Sequence, residues 1–96
     1  MIIEKNVQGS TVEMKLEGWL DTQSSPMLEE AVNALDDSAA DLVPDFTKLE
    51  YVSSAGLRQI VAAYKKMNGN LTLRNVSSEI MEIIKMTGVD KRLKFD

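Results

Sequence analysis

With 96 residues, 44% of them hydrophobic and 27% charged, the chain has the make-up of one packed domain and little room for a second core. It contains neither cysteine nor histidine. That removes disulfides, thiolate and imidazole metal sites, and the usual nucleophile–base pairs of hydrolases, so the expectation is a protein that is not an enzyme and carries no cofactor. Eleven basic against fifteen acidic residues leave a net charge of −4, which opposes attraction to nucleic acid or anionic lipid; neither partner is expected.

The N-terminal Met1-Ile2-Ile3-Glu4-Lys5 lacks a long apolar leader core. No apolar run approaches the roughly 20 residues of a membrane helix, so the expected location is the cytoplasm, without processing. Ile2 to Val7 and Thr11 to Glu17 read as the two strands of a hairpin. In the second, Val12, Met14 and Leu16 alternate with Glu13, Lys15 and Glu17, the period-2 pattern of a half-buried strand. Between them Gln8-Gly9-Ser10 supplies the turn.

After Gly18-Trp19-Leu20-Asp21, the stretch Thr22-Gln23-Ser24-Ser25-Pro26 predicts a helix start with a serine N-cap and proline at the first helical position. Leu28, Ala31, Val32 and Leu35 fall at i, i+3, i+4 and i+7 and form its apolar stripe. Asp41 to Phe46 predicts a short buried strand whose boundary is blurred by Pro44, which cannot donate to a ladder. Thr47 to Val52 reads as a connection. A second helical stripe follows at Leu57, Ile60, Val61 and Tyr64, closed by Asn68-Gly69 with the glycine as left-handed cap.

Leu71 to Arg74 predicts another strand, and Ser77 caps a third helix lined by Ile80, Ile83, Ile84 and Thr87. Gly88 ends that helix, with Val89 folding back on Ile84 before a last strand around Leu93 and Phe95. The order β-β-α-β-α-β-α-β implies an α/β fold: a mixed, mostly parallel sheet with helices mainly on one face. No repeat, low-complexity tract or linker interrupts it, so residues 1–96 are expected to form one domain.

The sequence Ser53-Ser54-Ala55-Gly56-Leu57 places two hydroxyls at a helix N-terminus, where backbone N–H groups lack intrahelical partners. On this pattern alone both serines can be plain cap residues. The wider segment from Asp45 to Arg58 resembles the signature of STAS domains, the anti-sigma factor antagonists: an aspartate closing a strand, a spacer, then Ser-[Ser/Thr/Ala]-Gly-Leu opening a helix. Gly18-Trp19-Leu20-Asp21 is similar to the family's Gly-x-Leu-Asp, and the element order agrees over nearly the whole chain.

The resemblance implies an anti-sigma factor antagonist that docks on an anti-sigma serine kinase when unphosphorylated and frees a sigma factor. The serine two residues before the glycine receives phosphate from that kinase, and a metal-dependent serine phosphatase removes it; here the position is Ser54. The family's best-known members carry aspartate before the acceptor and Ser or Thr after it, whereas this chain has Ser53 and Ala55. Ser53 is therefore the alternative acceptor. The partner-binding residues implied are Asp21, Thr22, Ser53, Ser54, Ala55, Gly56, Leu57 and Arg58, with Asp45 as a further family position. Such a protein is expected as a monomer or weak dimer, and the other reading is an unphosphorylated STAS adaptor in a transport or stress-signalling assembly.

The remaining residues read as structure. Asp21 and Asp45 suit turn chemistry better than metal binding. Trp19 suits a half-buried sheet edge, and Met27, Met67, Met81 and Met86 suit packing gaps. Lys65-Lys66 and Lys91-Arg92 are expected to face solvent.

Overall fold

The computed structural model describes residues 1–96. The hairpin forms as β1 (Ile2–Gln8) and β2 (Thr11–Leu20), and α1 (Ser25–Asn33) leads to β3 (Asp41–Val52). Next come α2 (Ser54–Lys66), β4 (Thr72–Leu73) and α3 (Ser78–Met86), then a 3-10 turn at Val89–Lys91 and β5 (Lys94–Phe95). The expected order of strands and helices holds, and the 3-10 turn is an addition to it.

β1 and β2 are antiparallel, with Ile3 opposite Leu16 and Val7 opposite Val12. β2 and β3 are parallel, as are β4 and β5. Each parallel pair is joined by a helix, as a crossover requires. Between β3 and β4 the ladder survives only as bridges at Leu42–Leu71 and Asp45–Arg74. Pro44 explains the break. Leu42 N–H donates to the Asn70 carbonyl and Phe46 N–H to the Arg74 carbonyl, so residue 44 would have donated to Thr72, and proline has no N–H to give. The Pro44 carbonyl still accepts from Arg74 N–H at 3.0 Å, which keeps the seam closed.

β3 is twice the length expected of it, since Thr47 to Val52 is strand and not connection. Two register shifts against β2, one between Lys15 and Glu17 and one between Gly18 and Trp19, give β3 extra residues. Each bulge resets the side-chain alternation. Phe46, Leu49 and Val52 therefore all enter the core at a spacing of three, while Glu50 and Tyr51 both face out.

The core runs from Val12, Met14 and Leu16 through Leu42 and Phe46 to Leu73, and receives Leu28 and Val32 from α1, Leu57 and Ile60 from α2, and Ile80 and Ile84 from α3. Burying each of these aliphatic side chains is worth about 1.5–3 kcal/mol, which ties all three helices to one face of the sheet. The other face is polar. There Arg74 pairs with Glu13 at 3.2 Å and Asp96 at 3.0 Å.

The helix ends depart from expectation in detail. The N-cap of α1 is Ser24, but its hydroxyl makes no cap bond because it is spent on the preceding turn; Pro26 falls one place later than predicted. The helix ends at Asn33, leaving Leu35 outside it. At the end of α2 the left-handed residue is first Asn68, whose N–H donates to Lys65 while Gly69 N–H donates to Tyr64. This is the Schellman arrangement with asparagine where glycine was expected. Ser77 caps α3 as predicted, accepting from Ile80 N–H at 3.2 Å. No helix is long and apolar enough to cross a membrane.

Candidate functional site

At the carboxyl ends of β2 and β3 the chain makes two turns that interlock. The first, Leu20-Asp21-Thr22-Gln23-Ser24, is held by one carboxylate oxygen. Asp21 Oδ1 accepts from Gln23 N–H at 3.1 Å and Ser24 N–H at 3.0 Å. Ser24 Oγ accepts from Asp21 N–H at 2.9 Å and donates to the Trp19 carbonyl at 2.6 Å. The Ser24 and Gln23 donors hold the Asp21 carboxyl below the ordinary aspartate range, with the Ser24 amide the largest influence. Asp21 is thus a turn former, as its residue type suggested, and its charge is kept at the surface.

The second turn carries the serines. Ser53 is the N-cap of α2: its backbone is extended, and its hydroxyl accepts from Gly56 N–H at 3.2 Å. Ser54 is the first residue of the helix, is exposed, and its hydroxyl has no protein partner. The hydroxyl of Ser54, the expected acceptor, is therefore free, and that of Ser53, the alternative, is taken up by the cap.

Gly56 locks the turns together. A Cβ there would lie 2.5 Å from the Leu20 carbonyl oxygen, 2.8 Å from the Leu20 side chain and 3.1 Å from Val52. Ser53 N–H donates to that same Leu20 carbonyl at 2.9 Å. Only glycine lets the helix start sit so close to the first turn. The structure accordingly brings Asp21, Thr22, Ser53, Ser54, Ala55, Gly56, Leu57 and Arg58 to one end of the molecule. Leu57 is buried there as a core anchor, whereas Thr22, Ser54 and Arg58 are exposed.

Asp45 is not part of this cluster, and it does not close a strand as expected, because β3 runs on past it to Val52. It pairs with Lys15, and Val52 pairs with Leu20, so five residues of β2 separate the two levels. At about 3.3 Å per residue that is on the order of 15 Å. Asp45 instead closes a local network on the polar face: it is 7% exposed and accepts from Thr47 N–H at 2.8 Å, the Thr47 hydroxyl, and Asn75 Nδ2 at 3.3 Å. Burial opposes its ionisation, but Thr47, Asn75 and the nearby Lys15 outweigh burial and hold its carboxyl below the usual range.

Sequence reasoning missed two features beside the turns. Trp19 is 57% exposed, not half-buried, and its ring meets that of Tyr51 at a centroid distance of 5.4 Å and a tilt of 51°. The bulge at Gly18/Trp19 turns both rings outward, and a bulge leaves no regular period by which it could be found. The methionines also divide: Met67 is buried, but Met27 is exposed and Met86 is 85% exposed. The second missed feature is a groove of about 500 Å³ between α2 and the α3 corner, with Ser54 at its edge and Lys65 and Arg92 among its walls. Lys66 contributes structure, donating to the Val32 carbonyl at 3.0 Å.

The chain can be set beside known proteins on this geometry. It is 30% identical over 81 residues to the anti-sigma-B factor antagonist of Bacillus subtilis, covering 81% of this chain and 74% of that one. It is 31% identical to the Staphylococcus aureus protein of the same name, covering 91% and 84%. Among solved structures, an anti-sigma factor antagonist from Mycobacterium paratuberculosis superposes with a TM-score of 0.86 at 25% identity, covering 98% and 83%. The anti-sigma factor antagonist SpoIIAA in its unphosphorylated form superposes at 0.77 with 15% identity, over 99% and 87%, which is a likeness of fold. The sequence model of the STAS domain matches residues 3–96, and with it the interlocked turns find their place: the chain belongs to the STAS domain family.

Proposed function

We propose that this chain is a cytoplasmic anti-sigma factor antagonist that acts by binding, not catalysis, and is switched off by phosphate on Ser54. The observation that carries the reading is the division of labour at the start of α2. Ser53 is committed to the cap, while the Ser54 hydroxyl stands free on a helix start locked against the Asp21 turn. The names of the relatives at 30% and 31% identity supply the partner class, an anti-sigma factor.

In its unmodified form the chain docks on an anti-sigma serine kinase through the Asp21–Thr22 turn and the Ser53 to Arg58 segment, and the sigma factor is released. The kinase then transfers the γ-phosphoryl group of ATP to Ser54 Oγ; the P–O bond to ADP breaks, and the hydroxyl proton leaves. A metal-dependent phosphatase restores the serine by hydrolysis to inorganic phosphate. The phosphate adds about −1.5 to −2 charges and must be desolvated on docking, so it weakens the complex without unfolding the helix that carries it.

Calorimetric titration of Ser54→Ala and Ser54→Asp against the kinase of the same organism tests the switch. Ser54→Ala is expected to bind like the parent and Ser54→Asp about tenfold or more weaker. Equal affinities overturn it. Mass spectrometry after incubation with kinase and ATP is expected to place the phosphate on Ser54; phosphate on Ser53 overturns the assignment.

A further inference from the structure

The groove beside Ser54 has an unusual charge for this molecule. The chain carries fifteen carboxylates and eleven basic residues, yet the groove is walled by Arg58, Lys65 and Arg92, with no carboxylate among its lining residues. The chain's three ion pairs engage only Lys48 and Arg74, so these three cations have no anionic partner. Val61 and Val89 form part of an apolar floor, which raises the strength of any charge interaction above it. Arg58 lies four residues after Ser54 on the same helix, hence on the same face, and Arg92 comes from the opposite wall.

We propose that this groove is an intramolecular phosphate clamp: a phosphoryl group on Ser54 is bound by Arg58 and Arg92, with Lys65 adding charge from farther along the wall. Guanidinium groups suit the role, since each can give two parallel hydrogen bonds to phosphate oxygens. The clamp rests on the reading that Ser54 is the acceptor, and it changes how the switch works. Phosphorylation removes a cationic groove as well as adding negative charge, taking its three positive charges down to about one. It also ties the 3-10 corner that follows α3 to α2.

The test needs no kinase. Phosphoserine is installed at residue 54 during translation, and its phosphorus resonance is followed against pH at low salt. The same group at residue 78 is the reference: Ser78 also opens a helix behind a serine cap, but its i+4 neighbour is Glu82 in place of an arginine. The second ionisation of an ordinary phosphoserine lies at about 6. At residue 54 it is expected below that at residue 78, and in Arg58→Gln/Arg92→Gln it is expected to rise by about half a pH unit, with the parent's depression fading in 1 M salt. A midpoint at residue 54 that does not move in the double variant, with helix content unchanged by circular dichroism, overturns the clamp. Kinase labelling tests Ser54 as acceptor separately, so the two ideas fail by different measurements.

Discussion

Of two adjacent serines, Ser53 is engaged in the helix cap and the Ser54 hydroxyl in no bond, and single substitutions separate the cap from the proposed phosphoacceptor. Ser53→Ala removes the acceptor for Gly56 N–H and is expected to cost about 0.5–2 kcal/mol while leaving residue 54 available to a kinase. Ser54→Ala is expected to do the reverse, with thermal unfolding near the parent's and no phosphate uptake. Gly56→Ala sets a Cβ against the Leu20 carbonyl, a backbone atom that cannot swing away. The expected cost is about 1–3 kcal/mol, and at about 4–8 °C per kcal/mol for a domain of this size, a melting point lower by several degrees or more. Asp45 sets a pH dependence. Its folded carboxyl titrates below its unfolded value, so its stabilisation is present above the unfolded value and lost as pH falls through the folded one. Asp45→Asn should therefore flatten the acid limb of the stability curve below about pH 4, as read by urea unfolding at a series of pH values.

At the level of elements, the helices were legible and the long strand was not. The stripes at Leu28/Val32, Leu57/Ile60 and Ile80/Ile84 are set by a helical period that nothing interrupts, and all six residues are buried. β3 concealed its second half because its bulges put Phe46, Leu49 and Val52 three apart, a spacing that no flat strand has. The same irregularity hid Trp19 and Tyr51. The candidate site was legible as a cluster of motifs, because Gly-Trp-Leu-Asp closes β2 and Ser-Ser-Ala-Gly-Leu follows β3, its parallel neighbour. Its groove was not, since Arg92 meets α2 only through the fold. The Pro44 seam gives this scale its own prediction: Pro44→Val supplies an N–H facing the Thr72 carbonyl, and hydrogen exchange should find that new amide protected by about tenfold or more over an unfolded reference. An amide at residue 44 exchanging at the unprotected rate would show that the seam is open for some other reason.

For the whole molecule, the net charge of −4 becomes about −6 on phosphorylation, so the modified chain carries a larger negative field toward any acidic partner. The lone tryptophan stands at the end of the molecule that holds the serine turn, exposed against Tyr51, where it serves as a reporter for the proposed docking. Binding of the kinase is expected to shift the Trp19 emission to shorter wavelength and to shield it from acrylamide, and Trp19→Ala should weaken binding while changing stability by less than about 1 kcal/mol. Unchanged emission at saturating partner would place docking elsewhere. The close approach of Gly56 to the Leu20 carbonyl bears on what a redesign of this chain can change. Two turns from distant parts of the chain behave as one rigid fitting, so neither can be lengthened or re-aimed without disturbing the other. A different partner preference in this chain is then reached by exchanging the side chains that ring the fitting, Thr22, Ala55 and Arg58 among them, with the backbone of both turns kept.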